Sequence, residues 1–166
     1  MTENKPRYEE VVIPALLRHA RVTYAVAMRR ALAEAGYDDV PKNGLYVLGG
    51  LAMGGDDVPL SKLIRDLRIS KQAAGQLVDT LVTRGYLQRE VDRHDRRRLT
   101  VVLTKRGRAA AAAQTRAREK IDAQLLARVG QRNLGVTRRV LAELIDIGRR
   151  QEESGPDTGN PSEASR

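Results

Sequence analysis

The 166-residue sequence contains no cysteine, tryptophan or phenylalanine, and its aromatic side chains are five tyrosines and two histidines. Without cysteine sulfur, disulfides, thiol redox sensing and thiolate metal sites are all excluded. Two histidines are too few for a tight zinc or copper site, so we expect no metal and no cofactor. The core must be built mainly from aliphatic side chains, and 41% of the residues are hydrophobic.

Long apolar runs are missing as well, since no stretch reaches the roughly 18 apolar residues that span a bilayer. The first ten residues, MTENKPRYEE, are polar and do not resemble a signal peptide. We therefore expect a cytoplasmic protein with no membrane partner. No nucleophile–base pair and no catalytic motif is present, so we also expect that the protein is not an enzyme.

Positive charge is abundant and unevenly distributed along the chain. The formal net charge is +9, and the segment from Arg84 to Arg108 contains nine Lys or Arg against three Asp or Glu, a net of +6. A concentrated basic segment favours an anionic partner, above all nucleic acid.

Hydrophobic spacing predicts a mainly helical chain interrupted by one β-hairpin. Helices are predicted at Ala15–Ala35, Gly44–Met53, Leu60–Leu67, Lys71–Arg84, Thr104 to about Arg128, and Val136–Arg150, and strands at Tyr86–Val91 and Leu99–Leu103. Glycines that follow periodic segments, and Ser70 before one, are typical helix ends and starts. From about Gln151 the sequence has no apolar face and is predicted to be disordered.

The order of these elements predicts a winged helix-turn-helix, mainly α with a small β-hairpin wing (α+β), flanked by N- and C-terminal dimerisation helices. The predicted parts are a flexible arm at 1–12, a helical dimerisation region at 13–36 and 104–151, a DNA-binding region at 41–103, and a disordered tail at 152–166. The flanking helices carry more apolar surface than one small domain can cover. A symmetric homodimer would bury that surface.

The helix after Ser70 carries the residues that are best suited to read bases. Its apolar stripe would be buried, and its opposite face is polar and rich in amides. Glutamine can contact adenine through two hydrogen bonds, lysine can reach phosphate or guanine, and Gly75 would let the backbone approach DNA closely. The candidate contacts are Ser70, Lys71, Gln72, Ala73, Gly75 and Gln76. An ordinary solvated helix face is the alternative, and the short helix and turn before it favour DNA.

The predicted hairpin tip, DRHDRRR, is a second candidate contact, because arginine pairs with phosphates and enters narrow minor grooves. The candidate DNA contacts are Arg93, His94, Arg96, Arg97 and Arg98. Asp92 or Asp95 would orient one arginine and so stabilise the wing. A solvated charge run is the alternative interpretation of this segment.

The stretch Leu60–Gly107 resembles the multiple antibiotic resistance regulator (MarR) family. Two motifs carry the resemblance: SKQAAGQLVDTLVTRGYL at Ser70–Leu87, and DRHDRRRLTVVLTKRG at Asp92–Gly107, which is similar to the family's D-x-R-D-R-R wing followed by L-T-x-x-G. Gln76 stands where many relatives carry Arg, and Gly75 where Ser is frequent, which moves the expected base preference towards adenine. Arg68 occupies a turn position where Gly is common.

The resemblance implies a homodimer held by the first helix and the last two, with the Ser70–Arg84 helix in the major groove and the wing in the minor groove of double-stranded DNA. It also implies release from DNA by a small aromatic or lipophilic effector near the dimer interface. His19, Tyr24 and Tyr46 are candidate lining residues of such an effector pocket, with core or interface packing as the alternative for each.

Two alternatives to an effector-released repressor stay open at this point. One is a DNA-binding protein that needs no effector and acts architecturally or through a protein partner. The other is a winged helix that serves protein interaction and binds no DNA.

Overall fold

The computed structural model describes residues 8–54, 67, 69–91 and 99–154. Along the chain, these residues form a short 3-10 turn, four helices and two strands. The turn is Tyr8–Glu10, the helices are α1 (Ile13–Glu34), α2 (Gly44–Gly54), α3 (Lys71–Thr83) and α4 (Lys105–Ser154), and the strands are β1 (Leu87–Val91) and β2 (Leu99–Leu103).

Both ends of helix α1 are set by residues close to them in the sequence. Pro14 lies in the first turn, where a missing N–H costs no hydrogen bond. At the other end Gly36 has φ 77°, and the N–H of Tyr37 reaches back to the Leu32 carbonyl at 2.8 Å. This is a Schellman ending, which needs the left-handed conformation that glycine adopts at little cost.

Helix α2 is buried on most sides and packs in the centre of the core. Leu45, Val47, Leu48 and Leu51 are each at most 3% exposed. Gly49 is explained by its neighbour, because a Cβ there would lie 2.9 Å from Nε2 of Gln114. The helix accepts a glycine in its interior because a larger side chain would displace that amide.

The β-hairpin is antiparallel and pairs Leu87 with Leu103 and Val91 with Leu99. Leu87, Val101 and Leu103 are buried, and the residues that follow Leu87 in β1 are exposed. One face of the hairpin thus closes the core, as period-2 alternation predicts.

Helix α4 begins at a capped N-terminus and is interrupted at a glycine. The Thr104 hydroxyl accepts a hydrogen bond from the N–H of Gly107 at 3.0 Å, and a Cβ at Gly107 would overlap the Tyr86 carbonyl oxygen. Gly130, with φ 76° and ψ 160°, is non-helical and lies in the predicted break between the helices ending at about Arg128 and beginning at Val136. Residues 131–135, which were predicted to belong to that break, are helical. The helical backbone continues to Ser154, beyond the predicted end at Arg150.

The chain divides into two compact units, Met1–Ile121 and Asp122–Arg166. The first unit contains one aliphatic core closed by Tyr86, built from α1, α2, α3, both strands and the first turns of α4. Its buried members are Leu32, Val40, Leu45, Val47, Leu48, Leu51, Val78, Leu81, Tyr86, Leu87, Val101, Leu103, Ala110 and Ala111. Among the described residues of the second unit none is buried.

The predicted mainly helical winged-helix fold is confirmed, with α1, α2, α3 and the hairpin close to their predicted bounds. The predicted helix at Leu60–Leu67 and the turn at Arg68 lie mostly outside the described residues, as do the wing tip at 92–98 and most of the predicted tail. The 3-10 turn at Tyr8–Glu10 falls within the predicted arm. Over the described residues, no helix is both long and apolar enough for a membrane span.

Candidate nucleic-acid interface

Helix α3 is fixed at both ends by side chains and backbone groups that the sequence specifies. The Ser70 hydroxyl accepts a hydrogen bond from the N–H of Ala73 at 3.1 Å and so caps the first turn. Gly85, with φ 72°, ends the helix, and the N–H of Tyr86 bonds the Leu81 carbonyl at 2.9 Å. Capping at both ends holds the helix in a defined length and direction.

The two faces of α3 differ sharply in burial and chemistry. Ala74, Val78 and Leu81 are at most 3% exposed and anchor the helix to the core. The six residues that the sequence selected as base contacts are all exposed. They are Ser70, Lys71, Gln72, Ala73, Gly75 and Gln76. The structure thus brings these six together on one solvent-facing surface, which we call the reading face.

The reading face is electrostatically suited to an anion. The first turn of α3 contains no acidic residue, and its free N–H groups and Lys71 are positive. The one carboxylate on the helix, Asp79, pairs with Arg89 of β1. That pair neutralises Asp79 and ties the helix to the first wing strand.

Gly75 lies on this face with no packing reason to be glycine. A Cβ there would have nothing within 4 Å, and its φ is not positive. Glycine in a helix interior is about 1 kcal/mol less favourable than alanine. Within the described residues, nothing in the protein fold accounts for this cost.

The wing strands are described and the wing tip is not. Pairing of Val91 with Leu99 ends the described ladder. Arg93, His94, Arg96, Arg97 and Arg98, together with Asp92 and Asp95, lie outside the described residues. Their roles stay predictions from the sequence.

A cluster of charged and aromatic side chains, which we call the Asp39 cluster, lies where α3 passes into β1. It consists of Tyr37, Asp39, Arg84, Tyr86 and Arg106. The Tyr86 hydroxyl donates to Oδ1 of Asp39, and Nη2 of Arg106 donates to the same oxygen at 3.0 Å. Nη1 of Arg84 donates to the backbone carbonyl of Asp39. Local sequence patterns do not reveal this cluster, because Asp39 and Arg106 are 67 positions apart.

The protonation states of the cluster follow from these contacts. The hydrogen bond from Tyr86, reinforced by the positive charges of Arg106 and Arg84, holds the pKa of Asp39 below its ordinary value. Burial first, and then the bond to Asp39, raises the pKa of Tyr86. Asp39 is therefore the charged acceptor and Tyr86 the neutral donor.

A cavity of about 250 Å³ lies between α1, α2 and the first part of α4. Its lining residues are Met28, Leu45, Tyr46, Gly49, Gly50, Met53, Gln114, Thr115 and Arg118. Of the three candidate pocket residues, Tyr46 lines this cavity, and its hydroxyl accepts from Nε of Arg21 at 3.0 Å. His19 and Tyr24 are not among the lining residues; the His19 ring lies 6.4 Å from that of Tyr8.

Gln114 is the most buried polar residue around this cavity, at 2% exposure. Its Nε2 donates to the Leu45 carbonyl at 2.9 Å, while its Oε1 and Nε of Arg118 are buried without a partner. Sequence periodicity could not single out Gln114, since its partner is 69 positions away. Among the described residues there is no group of three or more His, Cys, Asp or Glu that could hold a metal ion.

These features define a winged-helix protein, with a capped helix whose polar face is exposed and a hairpin packed beside it. A family model described as MarR family matches residues 39–98. The winged-helix segment therefore matches the MarR family model, and the resemblance of its motifs to that family is confirmed.

Solved structures share the fold at low sequence identity. A MarR family transcriptional regulator from Silicibacter pomeroyi is 24% identical, with a TM-score of 0.69 over 87% of this chain and 95% of that one. Streptococcus pneumoniae FabT in complex with DNA is 18% identical (TM-score 0.68; 84% and 96% covered). Staphylococcus aureus MepR in its DNA-binding conformation is 17% identical (TM-score 0.70; 82% and 98% covered). Among curated proteins none matches the chain.

Proposed function

We propose that this protein is a DNA-binding transcriptional regulator that acts in the cytoplasm as a repressor and binds a palindromic operator as a homodimer. The observation that carries the proposal is the reading face, a capped, acid-free helix start with two exposed glutamines. Similar folds in structures described as a DNA complex and as a DNA-binding conformation support it.

In this proposal the N-terminal half of α3 enters the major groove. Gln72 and Gln76 are exposed and one turn apart, so both can reach base edges, and a glutamine amide matches the N6 and N7 groups of adenine. Lys71 contacts phosphate, and Gly75 lets the helix backbone approach the DNA closely. That role would account for a helical glycine that the protein fold does not require.

The wing supplies contacts to the backbone and the minor groove. The strands β1 and β2 flank the arginine-rich segment in the chain, and the Asp79–Arg89 pair holds β1 against α3. Support for the tip itself comes from its sequence, in which Arg93 follows Asp92 and the run Arg96 to Arg98 follows Asp95.

Dimerisation is supported by apolar side chains that the single chain leaves exposed. In residues 122–154 these are Leu125, Leu126, Val129, Val136, Val140, Leu144, Ile145 and Ile147, each at least 37% exposed. In α1, Val22 and Val26 are 53% and 61% exposed. A second copy is the partner we propose, because twofold symmetry would match the two half-sites of a palindrome.

Release by a small aromatic or lipophilic effector is supported by the cavity beside α2. A volume of about 250 Å³ with methionine, leucine and tyrosine walls suits a compact apolar ligand with one polar group. We expect aromatic acids or hydrophobic drugs that bind there to raise the melting temperature. Thr115→Phe, which fills the cavity, should abolish that shift.

Selection of bound duplexes from a random DNA pool tests the main proposal. We expect an inverted repeat with half-sites about 10 base pairs apart, bound with an affinity that falls steeply with salt. No preference over random DNA at about 150 mM salt would contradict the proposal.

Two variants then separate base reading from backbone anchoring. Gln76→Ala is expected to relax preference at one base pair by about 1–3 kcal/mol. Arg97→Ala is expected to weaken binding to all sequences and to flatten the salt dependence. If each variant behaved as the other should, the assignment of reader and anchor would be wrong.

A further inference from the structure

The Asp39 cluster joins three parts of the first unit that are far apart in sequence. Asp39 comes from the loop between α1 and α2, Tyr86 from the connection between α3 and β1, and Arg106 from the first turn of α4. Nη2 of Arg106 lies 3.0 Å from Oδ1 of Asp39 and 3.1 Å from the Tyr86 hydroxyl. The three side chains therefore form a closed triangle of hydrogen bonds.

This triangle is placed at the junction between the two DNA-facing elements. Helix α3 ends at its cap residue Arg84, and β1 begins at Leu87, so Gly85 and Tyr86 are the whole connection. Arg84 donates to the Asp39 carbonyl, and Tyr86 donates to the Asp39 carboxylate. Asp39 thus binds Arg84 at the end of α3 and Tyr86 directly before β1.

Tyr86 transmits this restraint because it is held along its whole length. It is fully buried, its ring meets that of Tyr37 edge-on at 6.2 Å, and the Arg106 guanidinium lies 4.7 Å from its centroid. Its carbonyl accepts the N–H of Thr104 at 3.0 Å. A side chain fixed at both ends behaves as a strut between the loop and the start of the wing.

We propose that Asp39 is a positioning residue for DNA recognition, which acts through Tyr86 and Arg84 to fix the direction of α3 relative to the wing strands. The proposal rests on the proposed DNA-binding function and assigns it a residue that is not on the reading face. Base contacts need placement to within about 0.5 Å, whereas attraction to phosphate tolerates looser geometry. Loss of Asp39 should therefore reduce specific binding and spare non-specific binding.

The experiment compares the full-length protein with Asp39→Ala, Asp39→Asn and Tyr86→Phe. Fluorescence anisotropy measures Kd for the selected operator and for a random duplex of equal length, at one salt concentration and far below each melting temperature. Glu34→Gln is the matched control, since Glu34 forms an exposed ion pair with Arg30 at 2.7 Å and the substitution removes one negative charge.

For Asp39→Ala and Tyr86→Phe we expect operator affinity to fall about tenfold, comparable to the loss of one aligned base contact, with random-duplex affinity unchanged within about twofold. Asp39→Asn keeps an acceptor oxygen and should recover part of the operator affinity. Glu34→Gln should resemble the wild type in both. Tyr86→Phe keeps the buried ring and removes only the hydroxyl that donates to Asp39, so it tests the proposal if Asp39→Ala does not fold.

Three results would overturn the proposal. If melting temperature falls while both affinities stay at wild-type values, Asp39 is a stabilising residue only. If both affinities fall in parallel, the cluster does not act on alignment. If the wild type itself shows no operator preference, the proposed function fails, and this outcome is distinguished by the wild-type measurement alone.

Discussion

Residues 8–121 and residues 122–154 carry similar apolar patterns and bury them very differently. In the first unit, Leu45, Leu48 and Leu81 are at most 2% exposed, and α2 packs with its neighbours on most sides. In the second, Val140 and Ile145 are 54% and 57% exposed, and none of its described residues is buried. Apolar side chains at the same helical spacing are thus buried in the first unit and exposed in the second.

This difference teaches that periodicity identifies a face and not its partner. An apolar stripe at helical spacing predicts that something will cover it. In the first unit several elements converge, so the stripes cover one another. In the second the described residues form only the distal part of α4, and we propose that a second copy covers it.

The largest expected effect is the loss of stability when a core side chain of the first unit is shortened. Leu48→Ala should lower the free energy of unfolding by about 2–5 kcal/mol, because Leu48 is fully buried and a cavity remains. Leu144→Ala, at a side chain 43% exposed in the chain, should lower it by an amount that depends on protein concentration. Urea unfolding at two protein concentrations distinguishes the two variants. Equal losses of unfolding free energy that do not depend on protein concentration would contradict the difference between the two units.

The next effect comes from one substitution made in both parts of α4. Gly107→Ala should destabilise by about 1–3 kcal/mol, since its Cβ would overlap the Tyr86 carbonyl oxygen. Gly135→Ala should stabilise by about 0.5–1 kcal/mol, because a Cβ there meets nothing within 4 Å. Thermal melts of both variants measure the effects, and shifts of the same sign would show that the two glycines are not distinguished by packing.

A charge on the uncovered face should separate association from folding. Val140→Glu is expected to raise the dimer dissociation constant at least about tenfold, or about 1.4 kcal/mol, because a carboxylate is poorly tolerated in an apolar interface. Sedimentation velocity measures the change, and helical content by circular dichroism should stay the same. Gln131→Glu adds the same charge at another exposed position and should leave association intact, whereas a dimeric Val140→Glu would point to another interface.

Gly75→Ala should separate stability from DNA binding within the first unit. It should raise the free energy of unfolding by about 0.5–1 kcal/mol, since there is room for a methyl group. Operator affinity should nevertheless fall, because the methyl group would stand on the reading face. Gly135→Ala is the control that gains stability and keeps affinity. A Gly75→Ala variant that binds as well as the wild type would show that close backbone approach is not needed.

The smallest expected effect is a pH dependence that belongs to the first unit alone. Because the pKa of Asp39 is held below its ordinary value of 3.8, chiefly by Tyr86, its contribution to stability is complete above that value and is lost as pH falls through the lowered pKa. The stability difference between the wild type and Asp39→Asn should therefore shrink below about pH 4. Urea unfolding from pH 6 to pH 3 measures it, and a constant difference would contradict this assignment.

Much of the winged helix could be predicted because its determinants are local. Ser70 and Thr104 cap the helices that follow them, and Gly36 and Gly85 end helices through bonds within six residues. The exposed reading face follows from 100° spacing in α3. These features depend on neighbours in the chain, so single-sequence patterns contain them.

The Asp39 cluster and the Gln114 contact could not be predicted in this way. Asp39 meets Tyr86 across 47 positions, and Gln114 meets the Leu45 carbonyl across 69. Neither Asp39 nor Gln114 stands out in composition or spacing. Their partners are chosen by the packing of α1, α2 and α4, which no local pattern encodes.

By itself, the sequence determined the class of fold, the helix ends, the reading face and its charge, because these follow from periodicity, capping and side-chain chemistry. The tertiary structure alone decided why Gly49 and Gly107 are glycines, which cavity Tyr46 lines, and how the start of the wing is tied to the loop after α1. The physical reason is that close approach between distant segments depends on three-dimensional packing. An apolar stripe, in contrast, is defined by the spacing of residues along the chain.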